Sequence, residues 1–156
     1  MQKQESEKRY WKIIYNCLGV FYAACLVYIF FFARRRWRIF PERIVNVIPF
    51  RDKIHYLQTH SIRVRPENLE FYKDLAGNIL VFVPFPLLLF HFFKISSLRT
   101  LLLISVATSF CVETLQYIFN IGVADIDDLI LNTTGACIGL LLLIPLLRMK
   151  ATNQYG

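Results

Sequence analysis

Glu113 is the residue that most demands explanation. It lies within Leu101 to Ile121, a 21-residue stretch with no other charge. An ionisable group near the middle of such a run costs at least about 2.5–3.5 kcal/mol if the run crosses a bilayer. On a helix Gln116 follows at i+3 and Asn120 at i+7, so the three share a face. A carboxyl held in low dielectric favours its acid form and can act as a general acid or base. Just beyond, Asp125, Asp127 and Asp128 crowd a short turn. As hard oxygen donors they can hold Mg²⁺ against a phosphorylated ligand. Asp128, Asn132, Gly135 and Gly139 then recur at i, i+4, i+7 and i+11. The first two offer polar groups, and the last two form a Gly-x-x-x-Gly surface for close helix packing. Asn78, with Asp74 four residues before it, and Asn46 complete the set.

The candidate ligand-binding residues are therefore Asn46, Asn78, Glu113, Gln116, Asp125, Asp127, Asp128 and Asn132, with Glu113 and Asp128 the candidates for catalysis. Gly135 and Gly139 are assigned to helix packing. Other chemistries find no support: there is no H-E-x-x-H, no G-x-S-x-G and no glycine-rich calcium loop. His55, His60 and His91 lack metal-ligand spacing and read as interfacial or packing residues.

The elements that must position these residues are apolar helices. Of the 156 residues 56% are hydrophobic and 19% charged, against roughly 45–50% and 25% in an average soluble domain. The excess is clumped into Ile13–Ala33, Ala76–Phe93, Leu101–Ile121 and Leu129–Leu147. About 20 apolar residues suffice for a helix to cross a hydrocarbon layer of about 30 Å, so the pattern predicts an all-α integral membrane protein with four transmembrane helices. Cys17, Cys25, Cys111 and Cys137 all fall inside the spans and read as packing residues rather than a disulfide framework. The formal charge of +7 comes from Lys and Arg beside spans, where lipid phosphates are the nearer anions, and it does not point to nucleic acid.

The expected organisation is a basic tail over 1–12, a first span over 13–33, a long basic loop over 34–75, three spans over 76–147 and a short tail over 148–156. The first apolar run exceeds that of a signal peptide and ends in Arg34-Arg35-Arg36-Trp37, so it reads as a retained signal anchor. Ile44 to Phe50 is too short to cross and is broken by Pro49, and it is expected in the headgroup region or dipping back against the bundle. Pro66 suits a helix start running into the second span, and Pro84 and Pro86 must break or kink that span. Connectivity places the long loop and the acidic turn on one membrane side. Lys and Arg number ten on that side and eight on the other, so charge does not fix the orientation.

Glu113-Thr114-Leu115-Gln116, followed by Gly122 through Gly135 with Asp125-Ile126-Asp127-Asp128 and Asn132-Thr133-Thr134-Gly135, resembles the VanZ-like family. Asn46-Val47-Ile48-Pro49-Phe50 and Asn78 through Phe85 are similar to two further family strings, so the resemblance spans about 46–143. Pro86 stands where the family often has glycine, and Val123 or Ala124 where some relatives carry arginine. The resemblance implies a multi-pass protein of the Gram-positive cell membrane, associated with lowered susceptibility to teicoplanin, without implying a reaction.

Three mechanisms follow. In the first, a polar intramembrane pocket binds an amphiphile, a lipid-linked envelope precursor or an acylated glycopeptide. Gln116, Asn78 and Asn132 would bond its head, while Arg51, Lys53, Arg63 or Arg65 would attract phosphate. In the second, the protein is a membrane enzyme on the same ligands, with Glu113 as acid or base and Mg²⁺ on the aspartates. In the third, the polar residues set helix register and the glycines seat a partner helix, making an assembly factor. The envelope association favours cytoplasmic termini and an outward-facing pocket. Partners other than membrane lipid, and the oligomeric state, are left open.

Overall fold

The computed structural model describes residues 2–33, 45–60, 62–121 and 123–155. Arg34, Arg35, Arg36, Arg38, Arg43 and Gly122 fall outside them. The chain divides into two units, Met1–Ile39 and Phe40–Gly156.

The described residues of the first unit form one helix, α1 (Gln2–Tyr28), ending in a wider π turn over Ile29–Ala33. The helix runs through the basic tail into the apolar run without a break.

The second unit opens with a two-residue strand, β1 (Val45–Asn46), and a short helix, α2 (Arg51–Thr59). A 3₁₀ turn over Pro66–Asn68 leads into α3 (Leu69–Phe82), then α4 (Phe85–Phe93), α5 (Leu98–Ile118), β2 (Ala124–Asp125) and α6 (Ile126–Tyr155). Among the described residues four stretches are long and apolar enough to cross a membrane: Glu5–Tyr28, Pro66–Phe93, Leu98–Ile118 and Ile126–Pro145. The protein is an all-α, multi-pass membrane protein.

Pro84 and Pro86 divide the second span without turning the chain back. Val83 (φ −57°, ψ −47°) and Pro84 (φ −74°, ψ −14°) stay in right-handed helical space, so the missing N–H groups kink the helix rather than open a loop. At the other end, Asn68 is buried and accepts from the Arg65 N–H at 2.7 Å while donating to the Arg63 carbonyl at 2.7 Å. This fixes the entry of the chain into the span.

Helix α6 packs against α3, α4 and α5. It approaches α3 at backbone distance, because a Cβ on Gly135 would lie 2.1 Å from the Ile79 carbonyl oxygen and one on Gly139 2.1 Å from that of Val83. The Gly-x-x-x-Gly surface is thus spent inside this chain, on the kinked span. The two ends of the bundle differ. Leu89, Leu101, Leu140 and Leu143 form an apolar core at the end distant from the acidic turn. Asn78, Ser105, Ser109, Glu113, Gln116, Asp127, Asp128 and Asn132 are all buried in the remainder.

One sequence expectation is corrected. Helix α5 stops at Ile118, so Asn120 does not continue the Glu113–Gln116 face. Its φ of 53° is left-handed, the Ile121 N–H returns to the Gln116 carbonyl at 3.0 Å, and that of Asn120 to Tyr117 at 3.2 Å. This is a Schellman ending with asparagine in the position usually held by glycine.

Candidate functional site

The acidic turn is ordered by its own carboxylates. Asp125 precedes α6, and its Oδ1 accepts the Asp127 N–H at 2.9 Å, capping the helix start. The same oxygen accepts from Asn46 Nδ2 at 3.0 Å. The backbone N–H of Asp125 donates to Glu113 Oε2 at 3.1 Å, tying the turn to α5. Strands β1 and β2 pair in parallel, Val45 opposite Ala124 and Asn46 opposite Asp125. The segment 45–50 therefore lies against the bundle at the acidic turn.

Beyond the strand, Asn46 Oδ1 accepts the Ile48 N–H at 3.3 Å and bends the chain. Phe50 adopts a left-handed φ of 57°, a costly conformation for a bulky residue. The strain is held because its N–H donates to Asp127 Oδ1 at 2.6 Å. Phe50 is also the N-cap of α2, a short helix within the expected basic loop. One turn later Lys53 Nζ lies 3.0 Å from Asp127 Oδ2, 3.7 Å from Asp74 and 3.9 Å from Asp125.

Burial opposes the charge on Lys53, but the Asp127 hydrogen bond and the charges of Asp125, Asp74 and Asp127 outweigh it, so the ammonium titrates above the ordinary lysine value. Burial raises the Asp125 carboxyl above its usual range. The Asp127 N–H and Lys53 pull the other way without cancelling the lost hydration. Lys53 is thereby committed to carboxylates and is withdrawn from the expected role of attracting phosphate. Arg51, Arg63 and Arg65 are exposed.

The remaining candidates point inward. Asp128 accepts from Asn78 Nδ2 across the α3–α6 interface. Asn132 donates to Ser109 Oγ at 2.9 Å across the α5–α6 interface, with its Oδ1 accepting no hydrogen bond from the described residues. Gln116 is fully buried. Of the eight candidates, Asn46, Glu113, Asp125 and Asp127 are linked at the turn, Asn78 pairs with Asp128, Asn132 bonds to Ser109, and Gln116 is buried two residues before the end of α5. Sequence reasoning passed over Ser105 and Ser109. Their i, i+4 spacing, continued by Gln116 seven residues after Ser109, was the available signal.

The residues do not fit Mg²⁺. Among the described residues no group of three His, Cys, Asp or Glu side chains is gathered for a metal ion. Asp128 turns away to Asn78, and the positive charge between Asp125 and Asp127 is the ammonium of Lys53.

Open space occurs beside the turn, as a groove of about 290 Å³. Val45, Asn46 and Val47 form one wall, Phe110, Glu113, Thr114 and Tyr117 of α5 another, and Ala124 through Ile126 with Leu129 the floor. Phe110 and Val47 are exposed at its edges, whereas Glu113 is only 8% exposed. An apolar trough with a carboxyl set into it results, open along the flank of a membrane-spanning helix.

The sequence profile of VanZ/LLP1 matches residues 19–148, most of the chain and all of this site. The chain belongs to the VanZ-like family. It is also similar to Protein VanZ of Enterococcus faecium, 37% identical over 69 residues, which cover 44% of this chain and 43% of that protein. The match therefore spans less than half the length of the relative. No solved structure matches this VanZ-like chain.

Proposed function

We propose that this VanZ-like protein binds an acyl- or prenyl-bearing amphiphile of the cell envelope, a lipid-linked precursor or an acylated glycopeptide, and so lowers susceptibility to teicoplanin-type antibiotics. The observation that carries the reading is the groove between β1, α5 and α6: apolar along its length, open at Phe110 and Val47, and polar at Glu113 and Asn46. An acyl chain would lie along Phe110, Ile126 and Leu129 toward the bilayer. Its head would sit at the turn beside Glu113. Phe110 lies eight residues before the end of α5, about 12 Å into the helix, so the groove covers the boundary between hydrocarbon and headgroups that an amphiphile occupies.

The buried pairs around it serve as scaffold in this reading. Lys53 with Asp127, Asn46 with Asp125 and Asn78 with Asp128 hold the groove walls, and the ligand meets what they leave exposed. Family membership supports the envelope setting, and the turn faces outward in the cell membrane.

The test is titration of purified protein in nanodiscs with teicoplanin, with its deacylated core and with lipid-linked precursor. Saturable binding of an acylated or prenylated ligand, lost on filling the groove with Leu129→Trp, is the expected result. Absence of saturable binding to all of them sinks the reading.

A further inference from the structure

Helix α2 has three sides, and contacts within the chain and water account for two of them. None of its residues is buried, and only Lys53 and Tyr56 are half-buried. Lys53 reaches Asp127 and Asp74, and the Tyr56 ring stacks on Phe71 of α3 at 4.5 Å. This side holds the helix to the bundle. Asp52, His55 and Thr59, at i, i+3 and i+7, are exposed and make a polar side that water satisfies. Phe50, Ile54 and Leu57, at i, i+4 and i+7, make the third side, roughly a quarter-turn from the bundle side and opposite the polar one. Ile54 is 51% and Leu57 41% exposed, and Val47 and Ile48, just before the helix, are exposed too.

Depth decides what covers this apolar edge. The span Ile126–Pro145 has 20 residues, a length of about 30 Å that matches the hydrocarbon layer. Asp127, in its first turn, therefore stands at the boundary of that layer. The span Pro66–Phe93 has 28 residues, about eight more than a crossing needs, and Asp74 is its ninth. Two carboxylates that hold Lys53 thus lie at the same depth, reached independently along two helices. They pin α2, about 14 Å long, where headgroups meet acyl chains. Val47 also lines the groove together with Phe110, which is exposed on the flank of the membrane-spanning α5. The apolar run into α2 therefore starts beside a surface that faces lipid.

We infer that α2 is an interfacial helix whose Phe50–Ile54–Leu57 edge enters the bilayer at the upper acyl chains, while Asp52, His55 and Thr59 face water. Its partner is the lipid of the membrane that the chain spans. Amphipathic helices seat in this way when an apolar edge and a polar side are opposed. The inference holds whether or not the groove binds a ligand. It gives the segment from β1 to α2 a second hold, on lipid, besides the ionic one through Lys53.

The experiment places the full chain, one copy per disc, in phosphatidylcholine nanodiscs. Trp11→Phe and Trp37→Phe remove both native tryptophans, and single tryptophans are introduced as Ile54→Trp, Leu57→Trp, His55→Trp or Thr59→Trp. Phosphatidylcholine brominated on the upper acyl chain should quench Ile54→Trp and Leu57→Trp about twofold or more over the other two. Aqueous iodide should show the reverse order. Should a tryptophan variant lose its helical content, hydroxyl-radical footprinting of the unmodified chain in the same discs reads the same point. Ile54 and Leu57 should then be protected relative to the unfolded chain, and His55 should not. Equal bromolipid quenching at all four positions, or quenching of Ile54→Trp and Leu57→Trp by iodide alone, overturns the inference. Radical attack on Ile54 and Leu57 as fast as in the unfolded chain overturns it equally, and leaves the edge to a second copy or another protein.

Discussion

The ammonium of Lys53 donates to Asp127 Oδ2 at 3.0 Å across 74 residues of sequence, and Asp127 has no exposed surface. The other oxygen of Asp127 takes the Phe50 N–H. One buried carboxylate thus anchors both the strained entrance to α2 and its first turn. Removing one member of such a pair leaves the other buried and uncompensated, at about 3–5 kcal/mol.

Lys53→Met is accordingly expected to destabilise the second unit by about 3 kcal/mol. Lys53→Met combined with Asp127→Asn should recover at least half of that, because asparagine still accepts the Phe50 N–H and the fully buried carboxylate is no longer stranded, leaving only the more exposed Asp74 and Asp125 without their cation. Thermal unfolding of the wild type, both single variants and the double variant in one detergent gives the coupling directly. A loss in the double variant equal to the sum of the two single losses would show that the pair is not coupled.

The spans were legible in the sequence because the bilayer imposes one local rule, about 20 apolar residues in a row, and each run obeys it. The ionic cluster was not. Lys53 sits in a segment whose apolar residues Phe50, Ile54 and Leu57 do recur at helical spacing, but nothing local says that an ammonium 74 residues upstream will meet Asp127. Asp125, Asp127 and Asp128 look alike as a string but are divided by helix geometry. Asp125 is a cap, Asp127 faces α2, and Asp128 faces α3 one residue later. The end of α5 was overrun by three residues because Phe119 to Ile121 is as apolar as the helix before it. The signal was Asn120, which tolerates a left-handed conformation. Glu113, Asn46 and Asp125 could be nominated as polar residues kept at a cost. The groove beside them depends on the pairing of β1 with β2, a contact no spacing rule reveals.

The two shifted groups at the turn both have raised pKa values, so each contribution is lost as pH rises, in windows at opposite ends of the pH range. Lys53 titrates above 10.5 in the folded protein. Its contribution is complete below that value and is lost as pH climbs through the folded one. Asp125 titrates above 3.8, so its favourable contribution is complete below 3.8 and is lost as pH rises through the folded value. At neutral pH its ionisation is a cost to folding. Asp125→Asn keeps an acceptor for Asn46 and for the Asp127 N–H. The change in melting temperature on raising the pH from about 4 to about 7 should therefore be less unfavourable in this variant than in the wild type. Identical changes in the two proteins would remove Asp125 from the account.

Glycines on neighbouring helices should behave oppositely. Gly135→Ala would place its Cβ 2.1 Å from the Ile79 carbonyl oxygen and 3.1 Å from Phe82 Cβ. Backbone cannot yield as a side chain can, so α3 and α6 must separate, with a loss at or above the usual 1–3 kcal/mol or so of overpacking. Gly77→Ala meets nothing within 4 Å and should gain about 0.5–1 kcal/mol from helix propensity alone. Melting temperatures in detergent separate the two, and a neutral Gly135→Ala would contradict the close approach.

Asn120 offers a test of the helix ending independent of packing. At φ 53° glycine should be accepted in its place with little change, while Asn120→Val must hold a β-branched side chain in left-handed space at about 1–2 kcal/mol. Since this ending leads the chain toward the acidic turn, Val should also loosen the Asp125 N–H, read as faster amide exchange there. Equal stability of the glycine and valine variants would rule the Schellman ending out.

Asn46 holds the outer wall of the groove by two bonds: Nδ2 to Asp125 at 3.0 Å and Oδ1 from the Ile48 N–H at 3.3 Å. Asn46→Ala removes both and leaves the wall itself to the two-residue β1–β2 pairing, too short to hold a segment by itself, with the next tie at the Phe50 N–H. The helices do not depend on it, so helical content should be unchanged. Amide exchange at Val45 to Ile48 should quicken by about tenfold or more, the loss of roughly one to two hydrogen bonds' worth of local stability. An acyl ligand seated against Val45 and Val47 should dissociate correspondingly faster. If exchange quickens while ligand release does not, the wall is no part of the binding surface and the ligand lies on the α5 side alone.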